Sequence, residues 1–317
     1  MLKKLRKAFV CFLLFVQVIS CKNDQQNKIH SADEKKYRLK GQLPANAKYY
    51  FTIANETHIK LELEGKESGN INKSTVGLIY SVSKDSAGNF LLTVTYDSLH
   101  VYSKNNDTEI DVDAANAAGS ADPVEKLLGS IKGAALFVSM DKKGNIIGTK
   151  GYKELADKVL LSITATDDYT RKMMQNTLSK FIGEDFVKNN VTQMVNLFPD
   201  SAVYVGDSWT KSGNPSADIK IDMLTRYTLV ALNNNIAEIN AVSDIKNAAD
   251  KPTEIMGYNI AVDLKGKDES NFTTDINTGI TLKANSNTSI KGTVQMLGRD
   301  VPITITTKKE IKTRKLL

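Results

Sequence analysis

The run Tyr49-Tyr50-Phe51-Thr52-Ile53-Ala54-Asn55-Glu56-Thr57-His58-Ile59-Lys60-Leu61-Glu62-Leu63-Glu64 decides the fold class. Its odd positions Tyr49, Phe51, Ile53, Ile59, Leu61 and Leu63 are apolar, and its even positions His58, Lys60, Glu62 and Glu64 are polar. Successive side chains of a strand point to opposite faces, so a period of two reads as a half-buried strand with His58 on the solvent side. Val76, Leu78, Tyr80 and Val82 repeat the pattern. Leu92, Val94 and Tyr96 continue it beyond Asp85-Ser86-Ala87-Gly88-Asn89. Asp-x-x-Gly between alternating runs is a hairpin signature, with the glycine taking the left-handed position. Met140-Asp141-Lys142-Lys143-Gly144-Asn145-Ile146 reproduces that turn. Leu99 and Val101 fall out of phase with Tyr96, which predicts a bulge near Asp97.

Further along the chain the period changes. Asp122-Pro123-Val124-Glu125 combines an N-cap, a first-turn proline and a capping-box acid, and predicts a short helix through Leu127, Leu128 and Ile131. Leu155, Val159 and Ile163 then form a helical stripe. A second carries Tyr169, Met173, Leu178 and Phe181, capped by Asp167 or Asp168 and stopped by Gly183. A third carries Phe186, Val187, Val191, Met194 and Phe198 and ends at Pro199. Alternation returns through Ile219, Ile221, Met223, Tyr227 and Leu229, then Tyr258, Ile260, Val262 and Leu264, and later Val301, Ile303 and Ile305. Short turns without intervening helices make neighbouring strands antiparallel. The expected fold is therefore α+β and mainly antiparallel: a large curved or partly barrel-like sheet in two halves, residues 37–150 and 200–317. A helical segment, 151–199, lies between them and covers the apolar face.

The chain has 317 residues, with 42 Lys+Arg against 36 Asp+Glu and a formal net charge of +6. Much of that excess sits at the start. Lys3, Lys4, Arg6 and Lys7 precede an almost wholly apolar stretch, Ala8 to Ile19, too short to span a membrane. The segment closes Val18-Ile19-Ser20-Cys21, which resembles a bacterial lipoprotein signal: a branched apolar residue, then a small residue, then cysteine. The resemblance implies a signal peptide over 1–20, cleavage between Ser20 and Cys21, and acylation (diacylglycerol and palmitate-type chains) at Cys21. Two or more acyl chains anchor a protein where one does not. Cys11 leaves with the signal and Cys21 is consumed, so no thiol remains for a disulfide, a metal or a nucleophile. Residues 21–36 hold one large apolar residue, Ile29, and read as a lipidated flexible tether in which His30 is solvated. Lys308 to Leu317 carries five basic residues and one acid, leaving residues 21–307 net negative, and reads as a short tail able to touch anionic headgroups. Nucleic acid is excluded as a partner on this charge pattern.

Catalytic signatures are missing from the sequence. It holds no Gly-x-Ser-x-Gly elbow, no His-Glu-x-x-His and no phosphate loop, and Gly148-Thr149-Lys150-Gly151 lacks a dinucleotide context. His58 and His100 both alternate away from the apolar face. Asp275-x-Asn277-x-Gly279 offers oxygen ligands but not the longer calcium series, so it reads as a hairpin turn. Asp207 beside Trp209 reads as a turn with a packing anchor, and the pairs Asp111 and Asp113 or Asp167 and Asp168 as loop or cap acids. The expectation is no enzyme, no cofactor and no metal. Asp85-Ser86-Ala87, Asp97-Ser98-Leu99 and Asp200-Ser201-Ala202 resemble the O-glycosylation acceptor of Bacteroidota, which makes Ser86, Ser98 and Ser201 candidate acceptors.

The lipobox and tether, Lys142-Lys143-Gly144-Asn145-Ile146-Ile147 leading into Gly151-Tyr152, Tyr204-Val205-Gly206-Asp207-Ser208-Trp209 and the Asn277-Thr278-Gly279 hairpin occur together. In this the chain resembles a family of uncharacterised Bacteroidota lipoproteins. That resemblance implies a location in the cell envelope, lipid-anchored in the outer membrane, with the periplasmic or surface face left open. Two functions remain: a module that binds or carries a hydrophobic ligand, and a structural lipoprotein that binds an envelope protein or glycan and has no ligand cavity.

Overall fold

The computed structural model describes residues 35–39, 41–105, 108–117, 119–142, 144–161, 182–195, 197–213, 221–247, 253–255, 258–296 and 298–317. They belong to one compact unit, Asp33–Leu317. The described elements begin with β1 (Lys48–Leu63), β2 (Lys66–Lys84), β3 (Phe90–Lys104), β4 (Glu109–Asp113), α1 (Ala114–Ala117), α2 (Pro123–Gly129), β5 (Ala135–Met140) and β6 (Ile146–Lys150). Helices α3 (Tyr152–Leu161) and α4 (Glu184–Val195) follow, then β7 (Ser208–Gly213), β8 (Ile221–Asn233) and β9 (Ile236–Asn247). The last are β10 (Thr253–Ile255), β11 (Tyr258–Ile260), β12 (Val262–Asp275), β13 (Thr281–Met296) and β14 (Arg299–Leu316). The predicted helix over 169–181 lies outside the described residues.

Twelve strands form one open sheet in the order β6-β5-β3-β2-β1-β14-β13-β12-β9-β8-β7, with β4 also on β3. Every pairing is antiparallel, so the expected mainly antiparallel α+β architecture is what the chain adopts. Local chemistry explains the connections. Asn89 N–H donates to Asp85 Oδ1 at 2.8 Å, and Gly88 turns the chain at φ +82. The Asp141–Asn145 turn repeats this, at 2.9 Å with Gly144 at φ +86. Asp122 caps α2 by accepting from Val124 N and Glu125 N, ahead of Pro123. The register of β2 against β3 steps between Gly77 and Leu78, leaving Asp97 as the extra residue of a bulge, where the sequence places it.

One face of the sheet carries the core. Tyr49, Phe51, Ile53, Leu78, Tyr80, Val94, Tyr96 and Leu99 are buried there with Val138, Ile280 and Ile311. Helix α4 supplies Val187, Val191 and Met194 to the same cluster, which places it over this inner face. Its first turn meets the β6 edge, where Thr149 donates to Glu184, and Thr281 of β13 donates to the Met194 carbonyl at 3.4 Å. From β6 to β13 the sheet counts six strand spacings, about 29 Å at roughly 4.8 Å each. A helix of 12 residues covers only about 18 Å. The chord is shorter than the arc, so the sheet curves around α4.

Two glycines allow β12 and β13 to approach closely. A Cβ on Gly266 would collide with the Ser289 carbonyl and Ile290, and one on Gly292 with the Asp263 carbonyl. Glycine inside a strand marks such a close approach or bend.

Two readings are corrected. The alternating run Tyr258 to Leu264 is not one strand: Tyr258–Ile260 pairs with Thr253–Ile255 in a separate two-stranded hairpin, and the sheet resumes at Val262. Lys308 to Leu317 is not a tail. Lys308–Leu316 is the second half of β14, paired along its length with β1, from Glu56 opposite Lys308 to Lys48 opposite Leu316, and through Lys312 also with β13.

Candidate functional site

The inner face is not uniformly apolar. Following the register across it, Thr225, Ser243, Asp268, Thr288, Thr307, Thr57, Asn72 and Ser103 stand directly opposite one another on β8, β9, β12, β13, β14, β1, β2 and β3. Directly opposed residues of an antiparallel pair share a face, so this is one polar row across the sheet. Its members bond in pairs. Thr225 and Ser243 hydroxyls lie 2.9 Å apart, Thr57 and Thr307 hydroxyls 3.0 Å, and Ser103 Oγ donates to Asn72 Oδ1 at 2.8 Å. The adjoining row adds Ser270, Ser286, Lys309, Asn55 and Ser74, making a belt two residues deep at its centre.

Asp268 and Lys309 are the charged centre of this belt. The Asp268 carboxylate accepts hydroxyl hydrogen bonds from Ser270 at 2.6 Å, Thr288 at 2.7 Å and Ser286. Lys309 Nζ donates to Asn190 Oδ1 of α4 at 3.2 Å, and Asn190 Nδ2 donates back to the Phe186 carbonyl at 2.8 Å. Asn190 is buried, so helix and belt are joined by a satisfied polar contact inside the concavity. Burial pushes the Lys309 amine down to about 8, against the opposing attraction of Asp268. Asn55, Thr57, Asp268, Ser286, Thr288, Thr307 and Lys309 nonetheless keep partial solvent access.

Beyond the belt the face becomes apolar again. Ile221, Ile245, Leu264 and Ile290 form a separate buried cluster, with Met223, Val262, Ile303 and Ile305 partly buried against it. Ile59 opposes Ile305 and Leu61 opposes Ile303, and both stay only half-buried. On β1 and β14 the inner face therefore runs core, belt, apolar strip: Ile53 and Ile311, then Asn55, Lys309, Thr57 and Thr307, then Ile59, Ile305, Leu61 and Ile303. Helix α4 covers the first zone, and the last keeps open apolar surface.

The residues singled out in the sequence lie elsewhere. Ser20, Cys21, His30, Asp167 and Asp168 fall outside the described residues. His58 faces outward, 2.7 Å from Glu56, whose carboxyl that hydrogen bond holds below its usual range. His100 pairs with Asp111 at 2.6 Å, also outward. Asp113 caps Ala115 N–H. Asp275 closes a hairpin turn by accepting from Asn277 N–H and the Thr278 hydroxyl. Asp207 accepts from Tyr204 N–H at 2.8 Å, while Trp209 stacks on Tyr227 and donates Nε1–H to the Leu197 carbonyl at 2.9 Å. Gly148, Thr149 and Lys150 belong to edge strand β6. Ser86 and Ser201 are exposed in turns, whereas Ser98 is half-buried beside Tyr50. Among the described residues no cluster of His, Cys, Asp and Glu is arranged to hold a metal ion, and no helix is long and apolar enough to cross a membrane. Sequence reasoning missed the belt because its members are ordinary strand residues that only the register unites.

Fold and face together define an open antiparallel sheet wrapped around a helix, with a polar belt across its concavity. The chain belongs to DUF6263, a family of unknown function whose pattern matches residues 87–281, more than half of the sequence. No curated protein matches it. Among solved structures it is similar to lipovitellin, described for its lipid–protein interactions, at 8% identity and a TM-score of 0.48, covering 86% of this chain and 25% of that one. The chain thus spans about a quarter of that protein's length. It is also similar to an outer membrane channel from Pseudomonas putida F1, at 7% identity and TM-score 0.21, covering 90% of this chain and 100% of that one. For OpdL from Pseudomonas aeruginosa the values are 8% and 0.21, covering 85% and 99%. Scores this low carry no functional argument.

Proposed function

We propose that this protein is a lipid-anchored lipoprotein of the bacterial cell envelope that holds a hydrophobic ligand on the inner face of its sheet. The observation that carries the reading is the apolar strip beyond the belt. Ile59, Leu61, Ile303 and Ile305 stay half-buried there rather than packed beneath the helix. A filled core has no use for a satisfied polar belt followed by a second, partly open apolar zone, whereas a site for a molecule with an apolar body does. The Val18-Ile19-Ser20-Cys21 lipobox supports the anchor at Cys21, and two or more acyl chains there would hold the domain at the membrane surface. The outer membrane is the proposed location.

The test uses the mature chain as a soluble Cys21→Ser protein, purified without detergent. Organic extraction and mass spectrometry should recover lipid, and an apolar dye should bind and be displaced by added lipid. A lipid-free extract together with no dye uptake would overturn the reading. That result would favour a structural lipoprotein instead, for which Phe137 and Ile147, exposed on the β5–β6 edge, form a contact surface.

A further inference from the structure

We infer that the ligand is a single-chain amphiphile with one anionic head, its head against Lys309 and Thr307 on the belt and its chain along Ile59, Leu61, Ile303 and Ile305. This rests on the hydrophobic-ligand reading and specifies its chemistry. Donors and apolar surface meet on two adjacent strands. Lys309 presents an ammonium, and Asn55 directly opposite it an amide. Thr57 and Thr307 share one hydrogen bond at 3.0 Å. A pair of hydroxyls holds two protons and uses one between them, so the second is available to an incoming oxygen. The next inward positions on the same strands, Ile59 with Ile305 and Leu61 with Ile303, are apolar.

The lengths agree. From Thr57 to Leu61 β1 rises four residues, about 14 Å at roughly 3.4 Å each. One acyl chain spans half of a bilayer's hydrocarbon core, about 15 Å. A chain with its head at Thr57 and Lys309 therefore runs past Ile59 and ends near Leu61, which stands opposite Ile303.

The groups around Lys309 limit the head's charge. Ser286 stands beside it on β13, Asn190 bonds it from α4, and Asp268 faces it from β12. Asp268 attracts the amine, and its carboxylate is already engaged by Ser270, Ser286 and Thr288. One added negative charge is balanced by Lys309, and a second would meet Asp268. A carboxylate and a phosphodiester both satisfy this, so fatty acids and lysophospholipids share the required chemistry.

The experiment titrates Cys21→Ser protein with oleate, with a lysophosphatidylglycerol, and with monoolein, whose head is neutral. At pH 7 at least one of the two anionic probes should bind tenfold or more tighter than monoolein, and which one does identifies the source. The preference should shrink as pH rises through 8 toward 10, where the amine loses its proton. Lys309→Gln should reduce the preference for the anionic probe over monoolein to less than threefold. In the unsubstituted protein, the titration midpoint of the Lys309 amine, followed by NMR of its side chain, should rise when the preferred anionic probe is bound. That readout stands even if Lys309→Gln fails to fold. Equal affinity for all three probes, or a midpoint that does not move, would overturn this inference while leaving the ligand-binding reading intact. Failure of all three to bind would overturn both.

Discussion

Gly266 and Gly292 lie on adjacent inner-face positions, opposite Ile290 and Leu264, and let β12 and β13 approach too closely for a Cβ on either. Neither has positive φ, so their role is space and not backbone freedom. An alanine at either position must push the neighbouring strand's carbonyl away. Gly292→Ala should cost roughly 1–3 kcal/mol in urea unfolding, the usual penalty for overpacking. Gly148→Ala, with open space around its Cβ, should stay within about 0.5 kcal/mol. Equal midpoints for the two variants would show that stability does not depend on this close approach. Nothing in the sequence distinguishes these two glycines from those in turns. Gly88 and Gly144 announce themselves through the Asp four residues before Asn89 and Asn145. Gly266 and Gly292 acquire meaning only when the register brings them against a neighbour's backbone.

At the scale of elements, β14 shows what alternation can and cannot reveal. Its first half, Val301, Ile303 and Ile305, is legible as a strand, as are β1, β2 and the first half of β3. In its second half the inner positions are Thr307, Lys309, Ile311, Thr313 and Lys315, so one large apolar residue remains and the period-two signal is lost. At Thr307 and Lys309 the loss has a physical cause, because β14 crosses the polar belt there. The same stretch lies in the central strand of the sheet, paired with β1 throughout and with β13 through Lys312. Deleting residues 308–317 would strip hydrogen-bonding partners from Lys48–Glu56 of β1 and from Lys283–Asn287 of β13, and remove Ile311 from the core. The truncated chain should lose its cooperative thermal transition and its β-sheet circular dichroism. A basic tail, by contrast, would leave the melting temperature within a degree or two of the full chain's. The helical half of the site was more legible. The Val187, Val191 and Met194 stripe is apolar in sequence and buried in the fold, though its Asn190, which meets Lys309, looks like any solvent-facing residue until the belt is known.

Across the whole molecule, the parts that are distant in sequence cannot be separated in energy. The first and last strands pair with each other, and the main cluster mixes Tyr49, Phe51 and Val94 with Val191, Ile280 and Ile311. A second cluster joins Leu39 to Val203, Leu229 and Ile239, and Tyr37 bridges to Val203 across the chain. Sequence periodicity marks strands one by one and is silent on which distant strands close the sheet, which is why two β halves are visible there and one sheet is not. Trp209 offers a direct probe of the closure. It is the chain's single tryptophan, and its indole N–H bonds the Leu197 carbonyl, before the last group of strands begins. A fragment spanning 200–317 should show red-shifted, water-exposed Trp209 emission and no cooperative unfolding. Adding a fragment spanning 37–199 should restore the blue-shifted emission, in a stoichiometric complex that unfolds as one unit. Native emission from 200–317 alone would mean that the later strands make their own core and that pairing of β1 with β14 contributes little. The register argues against that outcome, because without β1 the Ile311 side and half of the belt lose their wall.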